Sequence, residues 1–528
     1  MIDEALSQID ELATRAIERA ELTGLGFAVT DAEQTLAVRT YGYADLAAST
    51  PLHPRHLMQI GSISKSFAAF IVMQEVEAGR LRLDVPADQY LPWLKIPSRW
   101  EQPTIHHLLT HTAGITMGSD RSPGAEGEVW TLRDQEAAWA PGTKFWYSNT
   151  GFKTIGLILE RVTGQPFTQL LRERIFETLG MDLSEPAITN AIRPRTAVGY
   201  TRLYDDRIDD RRQPFVPAIW SESDTADGAI SSTAEDMAAY ARMIMNRGRG
   251  LVTEDSFALM TRAYANDPDD PADSYGYGLK TRTQDGRTIL GHSGGMVGYT
   301  SGLWIENGIG IVILQNCEQG SWWLAPDALA ALSAAVEGTA MPPLPEIKDQ
   351  SVIDNASDYV GIYRAGERTF TMEADGSRLT LDGIAVERVE RDTFFVPDPG
   401  WDMFLLSFSR EAGEVTEAVY GPELFANARH SGYVAPTSYP VEWDAYPGHY
   451  RCHNPWGSNL RVFLRRGELW AAFASIDLSD FEYPLQPLPD GSFRLGETPE
   501  RMSFDTVING LAVRAVLMGQ DMFRVRTP

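Results

Sequence analysis

Gly61-Ser62-Ile63-Ser64-Lys65-Ser66-Phe67 follows the apolar run Leu57-Met58-Gln59-Ile60. It opens a helical pattern, Phe67, Phe70, Ile71, Met73 and Val76, that ends at Gly79. A serine at the head of a helix has its hydroxyl and backbone N–H near the positive end of the dipole, where an oxyanion is stabilised. Ser62 is therefore a candidate nucleophile. Lys65 lies three residues on, on the same helical face, and a lysine whose pKa is lowered by burial can take the hydroxyl proton. The 46 basic residues include only six lysines, and Lys65 alone has a serine three places before it. Arginine stays protonated in proteins, so this arginine-rich chain has placed here an amine able to act as a base. The competing reading is structural, with Ser62 as a helix cap and Lys65 as a solvated side chain.

Outward from this stretch, residues Ile2 to Arg19 carry helical spacing, and Gly24 to Thr30 with Gln34 to Tyr43 read as a hairpin. Thr104 to Gly114 reads as a short helix. Its His107 and His111 are spaced as zinc ligands can be, but no intervening glutamate and no third ligand accompany them, so no metal is assigned. The polar stretch Gly118 to Gly127 reads as a surface loop. Tyr147-Ser148-Asn149 lies at the entrance of a second amphipathic helix that stops at Gly164, in backbone suited to presenting side chains into a cleft. Thr233 caps a helix running through Met245.

From Tyr275 the pattern turns to strands: Tyr275 to Thr283, an Asp285-Gly286 turn, Thr288 to Gly291, then Tyr299 to Glu306, an Asn307-Gly308 turn, and Ile309 to Asn316. His292-Ser293-Gly294-Gly295 sits among them. A closing helix, Ala325 to Val336, ends at Gly338. Helices in the middle and strands at both ends imply one antiparallel sheet built from the two ends of this region. The proline-containing residues 339–352 read as a linker. Beyond it, Tyr359-Val360-Gly361-Ile362-Tyr363-Arg364 recurs as Tyr446-Pro447-Gly448-His449-Tyr450-Arg451. This implies two small antiparallel β-barrels, 353–437 and a second, lipocalin-like one at 438–528, with a boundary near Pro436 to Val441.

Ser-x-x-Lys, Tyr-x-Asn and His-x-Gly thus occur in order, and Tyr264-Ala265-Asn266 and His430-Ser431-Gly432 are decoys in poorer contexts. With His107-Leu108-Leu109-Thr110-His111-Thr112-Ala113-Gly114-Ile115, Ser232-Thr233-Ala234-Glu235-Asp236 and Tyr275-Gly276-Tyr277-Gly278, they make Gly24 to Gly338 resemble the serine β-lactamase and penicillin-binding-protein-like hydrolases. Within these it is similar to the branch of class C β-lactamases, D-alanyl-D-alanine carboxypeptidases and D-aminopeptidases. Two following β-barrels look most like the three-domain D-aminopeptidases.

The resemblance implies an α+β fold: a β-lactamase-like catalytic domain at 1–338, with an antiparallel sheet, helices on both faces and an all-helical part, followed by the two barrels. It makes Ser62 the nucleophile, and Lys65 and Tyr147, as phenolate or hydrogen-bond relay, the proton acceptors. Asn149 would orient Lys65 and the substrate amide, and the N–H groups of Ser62 and Gly295 would form the oxyanion hole. Gly294 and Gly295 leave room for substrate beside the His292 strand. His292 stands where many relatives carry lysine, which weakens the grip on a substrate carboxylate and favours substrates with a free amine or an uncharged acyl group. No metal or organic cofactor is implied. The expected activity is an acyl-enzyme hydrolase of small amides or short peptides, an aminopeptidase with D-residue preference. The alternatives are a carboxylesterase, a peptidase for linearised non-ribosomal peptides, or a non-catalytic relative. An aromatic, proline-containing loop, Asp477 to Leu488 with Phe481, Tyr483 and Pro484, is expected to reach the cleft mouth.

A formal charge of −26 and a pI near 4.8 argue against nucleic acid and anionic membrane surfaces as partners. Cys317 and Cys452 stand far apart, which speaks against a disulfide framework or thiolate metal site. Met1-Ile2-Asp3-Glu4-Ala5 carries acids where a secretory leader carries bases, so a cytoplasmic protein is expected, with a homodimer left open.

Overall fold

A computed structural model describes the chain apart from residues 20, 121, 123, 269–271, 285, 319–323, 347–348, 430–437, 474–481 and 527–528, and apart from the side chain at 284. The decoy His430-Ser431-Gly432, Asp285, the start of the boundary at Pro436 and the Asp477 to Phe481 part of the expected loop lie outside the described residues. The chain divides into two compact units, Met1–Thr201 with Phe215–Pro345, and Arg202–Pro214 with Glu346–Pro528.

The first unit is built on a nine-stranded sheet. Its strands are β1 (Gly24–Asp31), β2 (Thr35–Asp45), β3 (Thr50–Pro51), β4 (Ala265–Asn266), β5 (Asp273–Tyr275), β6 (Lys280–Gln284), β7 (Arg287–Met296), β8 (Tyr299–Glu306) and β9 (Ile309–Gln315), in the order β3-β2-β1-β9-β8-β7-β6-β5-β4. The early strand β1 pairs antiparallel with the late strand β9, Phe27 opposite Ile313, so the sheet closes the two ends of the unit together.

Period-2 alternation assigns the faces. Leu25, Phe27, Val29, Ile309, Ile311 and Ile313 pack on one side with helices α1 (Ile2–Glu18) and α5 (Leu324–Glu337). Ala28, Val312 and Leu314 face the larger core, which holds helices α2 (Ser64–Glu77), α3 (Asn149–Thr163) and α4 (Ala234–Met245). Ser148 caps α3, its hydroxyl accepting from the Gly151 N–H, and Thr233 caps α4 in the same way through Asp236.

Helix α2 is buried from Ser64 through Met73, with Phe67 stacked on Tyr240 at 3.7 Å between ring centroids. A helix apolar on all sides belongs in the interior, and this one carries Lys65 there with it. Two expectations change. The strand expected from Tyr275 to Thr283 is two strands, β5 and β6, because Gly278 takes a left-handed φ of +69° between them. Strand β7 runs unbroken to Met296, so the His292 motif lies inside a strand.

The second unit is all β. A barrel-like nine-stranded antiparallel sheet surrounds an aromatic core of Tyr359, Tyr363, Phe370, Phe394, Phe408 and Phe425, and an eight-stranded closed barrel runs from Gly448–Arg451 to Gln520–Val525. The repeated hexapeptide has one physical meaning in both. The Tyr363 hydroxyl donates to the Tyr359 carbonyl at 2.8 Å, and the Tyr450 hydroxyl to the Tyr446 carbonyl at 2.7 Å. Each bond ties a 3-10 turn to the first strand.

The segment Arg202–Pro214, which falls inside the 1–338 span of the sequence reading, belongs to this unit. Ile208 is buried with Phe395, Phe463 and Ala472, and Asp205 accepts from Arg451 at 2.8 Å. Tyr483 and Pro484, expected in a loop, lie in the barrel strand Glu482–Pro487, paired with Ala471 and Trp470. Among the described residues no helix is long and apolar enough to cross a membrane.

Candidate active site

Ser62 sits in a 3-10 turn, Gly61–Ile63, that leads directly into α2. The turn is pressed against β7. A Cβ on Gly61 (φ +51°) would stand 2.6 Å from the Gly295 carbonyl oxygen and 2.8 Å from its nitrogen, and one on Gly294 only 2.0 Å from the Ile60 carbonyl oxygen. Only glycine permits this approach, which brings the backbone of Ser62 and Gly295 side by side. Around Gly295 the space where a Cβ would stand is open. Strand β6 ends its pairing with β7 at Gly291, leaving His292 to Met296 paired only with β8 among the described strands.

Lys65 donates to Ser62 Oγ at 3.0 Å and to the Asp227 carbonyl at 2.8 Å. Its side chain is fully buried, and burial brings its pKa down from 10.5 to about 8 against the opposing pull of Asp227 and Asp120. The ammonium lies 4.9 Å from the centre of the Tyr147 ring. The Tyr147 phenol oxygen is buried. Ser62 is near enough to act on it, although no hydrogen bond of ordinary geometry closes. Burial raises this phenol well above its usual value, outweighing Ser62 and Tyr275, so it stays protonated at neutral pH.

His292 is buried beside Tyr275, with 2.9 Å between its Nε2 and the phenol oxygen, while Nδ1 faces the Ser293 carbonyl. A carbonyl only accepts, so Nδ1 carries the hydrogen and Nε2 accepts from Tyr275. Burial lowers the imidazole to about 3, so it is neutral throughout the physiological range.

Asn149 opens α3, but among the described residues no hydrogen bond joins it to Lys65. Its amide donates to Asp120 at 3.5 Å, and Lys65 is held instead by the Asp227 carbonyl. His111 and His107 have local structural partners. The Ser148 N–H donates to His111 Nδ1 at 3.0 Å, and the His111 ring lies 4.2 Å from that of Tyr147, while His107 closes a capping box with Thr104. His111 thus positions Tyr147.

Of the residues that sequence reasoning missed, Asp120 lies in the stretch read as a surface loop and Glu128 follows directly after it. Asp120 and Glu128 both pair with Lys153, which is on α3 one turn after Asn149, Glu128 at 2.5 Å. Lys153 and Glu128 are each 2 % exposed and Asp120 18 %. The signal was Lys153 itself: a lysine on the buried face of a helix requires acids opposite it.

A family model described as Beta-lactamase matches residues 9–335. A β-lactamase of Escherichia coli strain K12 is 27 % identical over 242 residues, 45 % of this chain and 61 % of that protein. A D-aminopeptidase of Cereibacter sphaeroides is 28 % identical over 316 residues, 56 % of this chain and 57 % of its own length. The matches thus span less than two thirds of either relative. Among solved structures, the octameric penicillin-binding protein homologue from Pyrococcus abyssi superposes with a TM-score of 0.59 at 25 % identity, over 80 % of this chain and 99 % of that one. With this fold and a model match over more than half its length, the chain belongs to the beta-lactamase family, whose members are serine hydrolases.

Proposed function

We propose that the protein hydrolyses small amides or short peptides with a free amino end through an acyl-enzyme on Ser62, with preference for D-residues. The observation that carries this reading is the 3.0 Å contact between Ser62 Oγ and a buried amine whose pKa lies near 8. As the free amine, Lys65 takes the Ser62 proton while Oγ attacks the substrate carbonyl carbon. The oxyanion forms at the N–H groups of Ser62 and Gly295, where each donor is worth about a hundredfold or more in rate. Collapse breaks the carbon–nitrogen bond, and the proton returns from Lys65 to the leaving amine by way of Tyr147. Because burial keeps its phenol protonated, Tyr147 serves as a relay and not as a phenolate. Water then attacks the acyl ester with the same pair as acceptor, releasing the carboxylic acid and restoring Ser62.

One feature supports an amine-bearing substrate over one with a free carboxylate. His292 is neutral and engaged with Tyr275, so it offers no fixed cation. The similarity to a D-aminopeptidase supports the D-residue preference. Turnover of D-alanyl and L-alanyl p-nitroanilides beside p-nitrophenyl butyrate tests the reading. Faster cleavage of the D-anilide, with fluorophosphonate labelling lost in Ser62→Ala, is expected. Ester cleavage with no D-anilide cleavage would make the protein a carboxylesterase, and labelling that survives Ser62→Ala would remove Ser62 as the nucleophile.

A further inference from the structure

Next to the Ser62–Lys65 pair lies a set of charges that hydrolysis as described does not use. Lys153 is shared by Glu128 and Asp120. Glu128 is satisfied: one carboxylate oxygen holds Lys153, and the other accepts the N–H groups of Ser119 and Asp120. Asp120 is less so. It stands in left-handed backbone (φ +50°), is the most exposed of the three, gives its Oδ1 to Lys153, and among the described residues has its Oδ2 contacted only at 3.5 Å by Asn149, two residues after Tyr147. The Asn149 Oδ1 is buried without a hydrogen-bond partner among the described residues.

From the adjoining turn comes Asp227. Its carbonyl holds Lys65, yet its own side chain, on a residue 6 % exposed, has a buried Oδ1 with no hydrogen-bond partner among the described residues. The Asp227 charge acts on Lys65, Tyr147, Lys153 and Asp120, so the carboxylate lies close to all four. When Lys65 is a neutral amine, as acylation requires, Lys153 is the one cation paired within this group among the described residues, against three carboxylates. A buried carboxylate oxygen left without a partner is costly, and a cation supplied from outside relieves it.

We propose that Asp120 and Asp227 form the subsite that holds the substrate's free ammonium group, with Asn149 between them and the reacting carbonyl. The proposal rests on the amine-bearing substrate of the preceding section and names the groups that recognise it. It also gives recognition a catalytic consequence. The incoming ammonium takes over the compensating charge that protonated Lys65 otherwise supplies, so the bound substrate favours the neutral amine. Asp120 and Asp227 are then determinants of specificity that leave bond making to Ser62 and Lys65.

The test uses the full chain and a matched pair of substrates, D-alanyl p-nitroanilide and propionyl p-nitroanilide, which differ by the ammonium. The unmodified protein is expected to favour the first by about 100-fold or more in kcat/KM, and Asp120→Asn to lower that ratio about 30-fold, chiefly through KM of the ammonium substrate. A ratio that stays put in Asp120→Asn, or an unmodified protein with no preference, overturns the proposal while leaving amide hydrolysis at Ser62 standing. Failure of the unmodified protein on both anilides overturns the proposed function itself. Should Asp120→Asn not fold, Asp227→Asn is read the same way. The unmodified protein gives an independent result: D-alaninol, which carries the ammonium and no scissile bond, competes with ester hydrolysis whereas neutral 1,2-propanediol does not. Equal inhibition by the two overturns the proposal.

Discussion

Replacing Lys65 by methionine separates the proposed catalytic role of this amine from its cost to the fold. A fully buried lysine lowered from 10.5 to about 8 costs the folded state about 3 kcal/mol at neutral pH, because the unfolded chain holds the proton more tightly. Between the two values the unfolded state binds more protons, so stability rises with pH. The Lys65 penalty is complete below pH 8 and fades as pH approaches 10.5. Methionine has no such dependence. The variant also leaves the Asp227 carbonyl without its donor, a cost of about 1–3 kcal/mol that does not vary with pH. The absolute stability of Lys65→Met therefore decides little, and its pH dependence decides the matter. Urea unfolding of both proteins at a series of pH values should show the unmodified protein gaining about 2 kcal/mol on the variant between pH 7 and about pH 9.5. Acylation should fall about 100- to 10,000-fold in the same variant. A stability difference that is flat across that interval would mean that Lys65 keeps its proton throughout, and the proposed base would be gone.

With an ester that carries no amine, kcat/KM should rise with pH through about 8, following Lys65, and show no further limb near 6.5 because His292 is held neutral to about pH 3; an imidazole limb that disappears in His292→Gln would contradict this assignment. Gly294→Ala should destabilise the protein by about 2 kcal/mol or more, since its Cβ would stand 2.0 Å from the Ile60 carbonyl oxygen, whereas Gly295→Ala meets nothing within 4 Å and should stay within about 1 kcal/mol of the parent. Thermal unfolding of the two variants checks the contrast, and equal losses would refute it.

The elements that follow local rules were legible. Thr233 before Ala234-Glu235-Asp236 started a helix where capping chemistry put it, and Asn307-Gly308 between apolar strands made a hairpin. The repeated tyrosines were visible as letters, but their closure onto the carbonyl four residues before them, at the end of a turn, was not. The polar stretch at Gly118 misled because polarity marks solvent and buried ion clusters alike. Asp120 and Glu128 are polar for the sake of Lys153, more than twenty residues away. The role expected of Asn149 went to the Asp227 carbonyl for a related reason: every residue has a backbone acceptor, so composition cannot say which one meets Lys65.

By itself the amino-acid order determined that Ser62 and Lys65 stand as a pair, because three residues along a helical turn is a distance set by backbone geometry alone. Tertiary structure decided the state of that amine. Enclosing α2 on all sides removed the water that keeps a lysine charged, and bringing loops from 120 and 227 to it set how much of the charge is restored. Desolvation and opposing charge depend on what surrounds a side chain, and that is fixed only when the distant parts of the chain have met.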